Sequence, residues 1–95
     1  MKGTEADHYN FAEYQLNDVG YFLLHSDRVA EAIQIFSLNA ETYSESSNAY
    51  DSLGEAYMID GNNELAIANY KKSLELNPRN ANAEEMLKKL VHKDK

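Results

Sequence analysis

The feature that most restricts the fold of this chain is the spacing of small and aromatic residues within residues 47–80. Tyr50, Leu53 and Tyr57 recur at the i, i+3 and i+7 positions of a helix that buries one face. Gly54 stands inside that helix, where glycine costs roughly 1 kcal/mol relative to alanine. This cost predicts a steric need, which we assign to a second, antiparallel helix that places Ala66 opposite Gly54.

The chain is predicted to reverse direction at Asp60–Asn62. Gly61 can adopt the positive φ that ends a helix, and Asn62 can cap the helix that follows. The second helix is predicted to bury Leu65, Ala66, Tyr70 and Leu74.

Pro78 sets the end of this second helix. Proline has no amide donor, and it disfavours the helical conformation at the preceding Asn77. We therefore predict that the helix ends near Leu76 and that Asn80 caps the next one.

The pattern as a whole resembles the tetratricopeptide repeat. Tyrosines stand where that family has a tryptophan and, near the end, a phenylalanine. The resemblance implies an all-α fold, a short right-handed α-solenoid of helical hairpins, and a role in binding other proteins. The residues that carry it are Tyr50-x2-Leu53-Gly54-x2-Tyr57, then Ala66-x3-Tyr70, then Pro78.

An earlier, degenerate copy of the pattern lies directly upstream, at residues 13–46. The glycine and the aromatic residue of the second helix recur there as Gly20 and Phe36. The turn glycine and the closing proline are replaced by Asp27 and Ser44. The copy is therefore recognisable only beside the complete one.

Three further helices complete the prediction. The first spans residues 5–25, is capped by Thr4 and has an apolar stripe of Tyr9, Ala12, Leu16, Val19 and Leu23. The second spans 28–42 and presents Val29, Ala32, Ile33, Phe36 and Ala40 on one side. The last presents Ala83, Leu87, Leu90 and Val91. The predicted organisation is one domain over 1–95, made of five helices: repeats at 13–46 and 47–80 and a capping helix at 81–92.

Composition narrows the class of function. The chain has 95 residues, no cysteine and a net charge of −7, which argues against disulfides, thiolate metal sites and a nucleic-acid partner. No apolar run approaches the ~20 residues of a membrane span. If the chain is complete, we expect a cytoplasmic protein. Residues 1–70 hold twelve acidic and two basic side chains, whereas residues 71–95 hold four acidic and seven basic ones.

No pattern in the sequence favours catalysis. His8, His25 and His92 lie on three different predicted helices without metal-ligand spacing, so neither a metal nor a cofactor is expected. His25-Ser26-Asp27 contains catalytic residue types, but adjacent side chains diverge. We interpret this tripeptide as a helix end at which Asp27 caps the next helix, and we predict that the chain is not an enzyme.

The family resemblance implies a concave groove lined by the first helix of each hairpin and by the capping helix. Members that grip a C-terminal carboxylate use basic groove residues, but here the equivalent positions hold Asn17, Tyr21, Ser52, Asn82 and Met86. The groove residues implied for this chain are Tyr14, Asn17, Tyr21, Leu24, Asn48, Asp51, Glu55, Met58, Asn82, Glu85 and Lys89.

Three acidic residues of this set, Asp51, Glu55 and Glu85, indicate a basic or amphipathic protein or peptide partner, with Tyr14, Tyr21 and Met58 as its apolar contacts. The alternative is a groove that is simply solvated or covered by another domain.

The first helix carries more apolar residues than one buried stripe needs: Tyr9, Phe11, Tyr14, Phe22 and Leu24. This surplus predicts contact with a second copy, another protein or a further domain. A homodimer could also form by domain exchange through residues 60–63. A second hypothesis is that the chain is the accessory C-terminal segment of a larger bacterial enzyme, because it is similar to repeat tails that follow hydrolase domains.

Overall fold

The structure, a computed structural model, describes residues 11–93. That range contains five helices and no strand, which confirms the predicted all-α class. The predicted helix start near Glu5 and its cap Thr4 lie outside the described residues, as do Tyr9 and His8. The helices are α1 (Phe11–His25), α2 (Val29–Thr42), α3 (Ser47–Asp60), α4 (Asn63–Leu76) and α5 (Ala81–Lys93).

Each helix packs on its neighbours along the chain, and α1 also touches α3. The result is a short helical-repeat solenoid. The bounds of α2 and α4 are offset along the chain by the same step as the two sequence repeats, so the second helix of the degenerate segment has the same bounds as that of the complete one. The first core cluster is formed mainly by α1, α2 and α3, and the second by α4 and α5.

The two helical glycines allow aromatic rings to pack against the backbone. We expected Ala66 opposite Gly54, but the ring of Tyr70 lies there, and a Cβ at Gly54 would be 3.2 Å from its carbons. In the first hairpin, a Cβ at Gly20 would be 2.6 Å from Phe36 Cζ. The prediction of close approach is confirmed, and the nearest neighbour is the Tyr70 ring.

The turn between α3 and α4 has the predicted geometry. Gly61 ends α3 with a φ of 87°, and Asn62 Oδ1 accepts a hydrogen bond from Leu65 N at 3.2 Å. The α1–α2 turn differs. Asp27 takes the positive φ, at 65°, and Arg28 is the N-cap without a side-chain cap bond. The prediction that Asp27 caps α2 was therefore wrong, because that residue is needed to end α1.

Four residues predicted to be buried are largely exposed: Ala12, Val19, Leu65 and Val91. The exposed fractions of Val19, Leu65 and Val91 are 46%, 42% and 49%. Leu65 directly precedes the buried Ala66 and therefore points about 100° away from the core face. Val19 and Val91 lie near opposite ends of the array. Elsewhere the predicted stripes hold, with Ala32, Phe36, Ala66 and Tyr70 at most 1% exposed.

Candidate peptide-binding groove

Helices α1 and α3 lie side by side and are joined by polar side chains. Tyr21 Oη donates a hydrogen bond to Glu55 Oε1 at 2.7 Å. Ser52 Oγ donates to Asn17 Oδ1 at 2.7 Å. The same face of two successive hairpins is therefore fixed in register by neutral donors.

Helices α3 and α5 are joined in a similar way through Asp51. Asn82 Nδ2 donates to Asp51 Oδ1 at 3.0 Å, and Asn80 Nδ2 donates to Asp51 Oδ2 at 2.9 Å. Asn80 also caps α5, because its Oδ1 accepts from Ala83 N at 3.2 Å. The predicted cap thus doubles as a residue that orients a groove carboxylate.

Asp51 and Glu55 have no basic partner within residues 11–93. Every hydrogen bond found to either carboxylate comes from a tyrosine or asparagine side chain. Over the part of the chain that the structure describes, the ion pairs lie elsewhere: Arg28–Glu31, Lys72–Glu75 and Lys88–Glu84. Since the two carboxylates are one helical turn apart, they form a focus of uncompensated negative charge.

This charge contributes to raised pKa values of two nearby phenol groups, those of Tyr21 and Tyr70. Burial is the main cause that raises the pKa of Tyr21 well above its ordinary value, and the hydrogen bond to Glu55 raises it further. Burial likewise raises the pKa of Tyr70, with the charges of Asp51 and Glu55 adding to it. Both phenols are therefore protonated at neutral pH, and Tyr21 donates its proton in the hydrogen bond to Glu55.

The remaining predicted groove residues differ in exposure. Leu24 is only 6% exposed and belongs to the first core cluster, so it offers little surface to a ligand. Met58 is half-buried against the second cluster, and Tyr14 is 50% exposed. The exposed polar members of the predicted set are Asn48, Asn82, Glu85 and Lys89.

Comparison with known families agrees with this geometry. A family model described as TPR repeat matches residues 54–84, from the second half of α3 through α4 into α5. Residues 54–84 therefore form a tetratricopeptide repeat. Tetratricopeptide repeats in general bind proteins or peptides and are not catalytic. A search of curated proteins found no match.

Two residues next to the carboxylates of the candidate groove were not predicted as such from the sequence. Tyr70 was assigned to the core alone, yet its phenol lies near enough to feel both carboxylates. Asn80 was assigned to capping alone, yet it also binds Asp51. The spacing from Asp51 to Asn80 gives no helical-face relation, so only the packing of α5 on α3 brings them together.

Within residues 11–93, no helix is both long and apolar enough to cross a membrane. In the same range, no cluster of three or more histidine, aspartate or glutamate side chains is placed to hold a metal ion.

Proposed function

We propose that this chain binds a basic or amphipathic protein segment in the groove formed by α1, α3 and α5. The observation that carries the proposal is the pair Asp51 and Glu55, whose carboxylates are held, among the described residues, by neutral donors only. A lysine or arginine side chain of a partner would supply the missing positive charge. The proposed activity is binding alone, with no catalytic step, cofactor, metal or nucleic acid.

The rest of the groove would give shape and apolar contact. Tyr14, Tyr21 and Met58 offer apolar surface on either side of the carboxylates, and exposed aromatic residues are frequent anchors at protein interfaces. The polar residues proposed to line the rim are Asn17, Asn48, Asn82, Glu85 and Lys89.

The test uses a fluorescent amphipathic peptide of lysine and leucine, together with a counterpart in which glutamate replaces lysine. The double variant Asp51→Asn, Glu55→Gln removes both charges and keeps side chains of the same size. Its affinity for the lysine peptide should fall about tenfold or more, which corresponds to about 1.4 kcal/mol. The wild-type protein should not bind the glutamate peptide.

The matched control is Glu41→Gln, Glu64→Gln, which changes the net charge equally at exposed positions on α2 and α4. This variant should bind the lysine peptide as the wild-type protein does. If both double variants lose the same affinity, attraction is due to overall charge and the groove proposal is wrong.

The alternative function is that of an accessory tetratricopeptide segment that docks or dimerises a larger bacterial enzyme of hydrolase type. The observation that favours it is the open apolar face of α1, where Phe22 is 70% exposed. A reading frame that continues upstream into a hydrolase domain would support this alternative, and one without such a domain would remove it.

A further inference from the structure

One face of α1 is apolar and uncovered by any described residue. Phe22 is 70% and Val19 is 46% exposed, and Ala12 is exposed two turns before Val19. We call this face the α1 stripe; its members are Ala12, Gln15, Leu16, Val19 and Phe22. It is separate from the groove, because Tyr21 and Asn17 point towards α3.

The internal repeat shows what normally covers such a face. The positions on α3 that lie one repeat after the stripe belong to the first core cluster, where they pack with α2. Ala49 and Ala56, which correspond to Gln15 and Phe22, are 0% exposed. The corresponding set on α3 is Ala49, Tyr50, Leu53 and Ala56. In this fold, therefore, the face is made to receive a helix that runs antiparallel to its own.

We propose that the α1 stripe of a second copy is that helix, so that two chains pair through antiparallel α1 helices. The stripe is complementary to itself under this arrangement. A shallow hollow at one end of it is lined by Ala12, Gln15, Leu16, Asp18 and Val19. Phe22, the most exposed large apolar residue, lies one turn beyond Val19 at the other end. Antiparallel pairing places each Phe22 against the hollow of the partner and brings Leu16 and Val19 together at the centre.

The two-fold arrangement closes on itself, as most protein dimers do. The opposite end of the array does not offer an equivalent surface. The position that holds Gly20 in α1 and Gly54 in α3 holds Lys88 in α5, where its side chain pairs with Glu84 at 4.0 Å. A lysine there blocks the close approach that the two glycines permit. Contact through one helix face is small, so the dimer belongs to the weak, transient class of interfaces.

The charge of Asp18 gives the proposed dimer a characteristic dependence on salt concentration. Asp18 lies at the edge of the stripe near its midpoint, so a two-fold axis brings the two Asp18 side chains close to each other. Their repulsion should weaken the dimer at low ionic strength and be screened at high salt. A head-to-tail contact between the acidic and basic ends of two chains, or a contact with a basic helix of another protein, would respond to salt in the opposite sense.

The test is sedimentation equilibrium at protein concentrations up to about 1 mM, at low and high salt. The expected result is a monomer–dimer equilibrium that salt strengthens. Phe22→Asp should weaken dimerisation at least tenfold. Leu38→Asp, the same change at a 49% exposed residue of α2, should leave it unaltered. Since the inference does not depend on groove binding, Asp51→Asn, Glu55→Gln should also dimerise normally.

Four outcomes would overturn the inference. A monomer at every concentration would mean that the stripe does not pair with itself. A dimer that persists in Phe22→Asp would indicate another surface, such as helix exchange through residues 60–63. Species that grow beyond a dimer and weaken with salt would indicate head-to-tail contact. Equal loss in the Phe22 and Leu38 variants would indicate that added charge, not the stripe, controls association.

Discussion

The two hairpins place a fully buried polar residue at the same position, and only one of them satisfies it. In the second hairpin, Ser73 Oγ donates to the carbonyl oxygen of Ser47 at 2.8 Å and accepts from Asn80 Nδ2 at 2.9 Å. In the first hairpin the equivalent residue is Asn39, which is also 0% exposed. Neither amide atom of Asn39 has a hydrogen-bond partner among the described residues.

The cause is the change of neighbours between the two copies. Ser47 of the second hairpin corresponds to Glu13 in the first, and the Glu13 carboxylate accepts a hydrogen bond from Ser46 Oγ. Its longer side chain therefore joins α1 to α3 and leaves Asn39 unmatched. A buried polar group without a partner costs about 1–3 kcal/mol. The comparison teaches that one helical frame can be kept while its polar connections diverge, and that the first hairpin is the less stable half.

The largest expected effect concerns the glycines. Gly20→Ala should destabilise the protein by about 2–3 kcal/mol, because its Cβ would overlap the ring of Phe36. Gly54→Ala should change stability by less than about 1 kcal/mol, since contact with Tyr70 is at 3.2 Å and alanine improves helix propensity. Urea unfolding of both variants measures the difference. The reverse order would contradict the tighter packing of the first hairpin.

Substitution of the buried polar residues Asn39 and Ser73 should change the free energy of unfolding in opposite directions. Asn39→Leu keeps a similar shape and removes the unmatched amide, so we expect stabilisation by about 1–2 kcal/mol. Ser73→Ala leaves Ser47 and Asn80 without a partner and should destabilise by about 1–2 kcal/mol. The midpoints of urea unfolding report both. If Asn39→Leu destabilises as much as Ser73→Ala, the first hairpin does not carry the weak point assigned to it.

The turns give a smaller contrast. Gly61→Ala should destabilise by about 1 kcal/mol, because a φ of 87° is strained for alanine. Asp27→Gly should stabilise by about 0.5–1 kcal/mol, because its φ of 65° then costs nothing. The melting temperatures of the two variants, measured at the same pH, test this prediction. Two changes of the same sign would show that turn conformation does not distinguish the hairpins.

The smallest effect is confined to alkaline pH. Phe36 of the first hairpin is replaced by Tyr70 in the second, and burial raises the pKa of Tyr70 above its ordinary value near 10. A raised pKa stabilises the fold fully below about pH 10, and this contribution is lost as the pH rises further. Tyr70→Phe should therefore make the fall in Tm above pH 10 shallower. If Tm depends on pH identically in the wild-type protein and in Tyr70→Phe, ionisation of Tyr70 does not contribute to alkaline unfolding.

Much of the fold could be predicted from spacing. Periodicity located five helices, and Gly61, Asn62 and Pro78 act through local backbone chemistry that the sequence states directly. Neighbours across helices were harder to predict. The ring opposite Gly54 and the link from Asn80 to Asp51 depend on how far each side chain reaches after the helices pack.

The sequence predicted which positions line the candidate groove but not the contacts between their side chains. The family register placed Tyr21, Glu55, Asp51 and Asn82 on one surface, and the structure joins them in two hydrogen-bonded pairs. Leu24 shows the limit of that register, because the same helical position is buried in α1. Whether a position faces the groove or the core depends on the size of the neighbouring helix residues, which spacing alone does not contain.

The most direct test of the proposed function is a titration of isotopically labelled protein with the lysine–leucine peptide, followed by amide chemical shifts. The account predicts that the largest shifts cluster around Asp51, Glu55, Tyr21 and Asn82, on α1, α3 and α5, and that they disappear in Asp51→Asn, Glu55→Gln. Shifts concentrated on the outer faces of α2 and α4, or shifts that persist in the double variant, would contradict it.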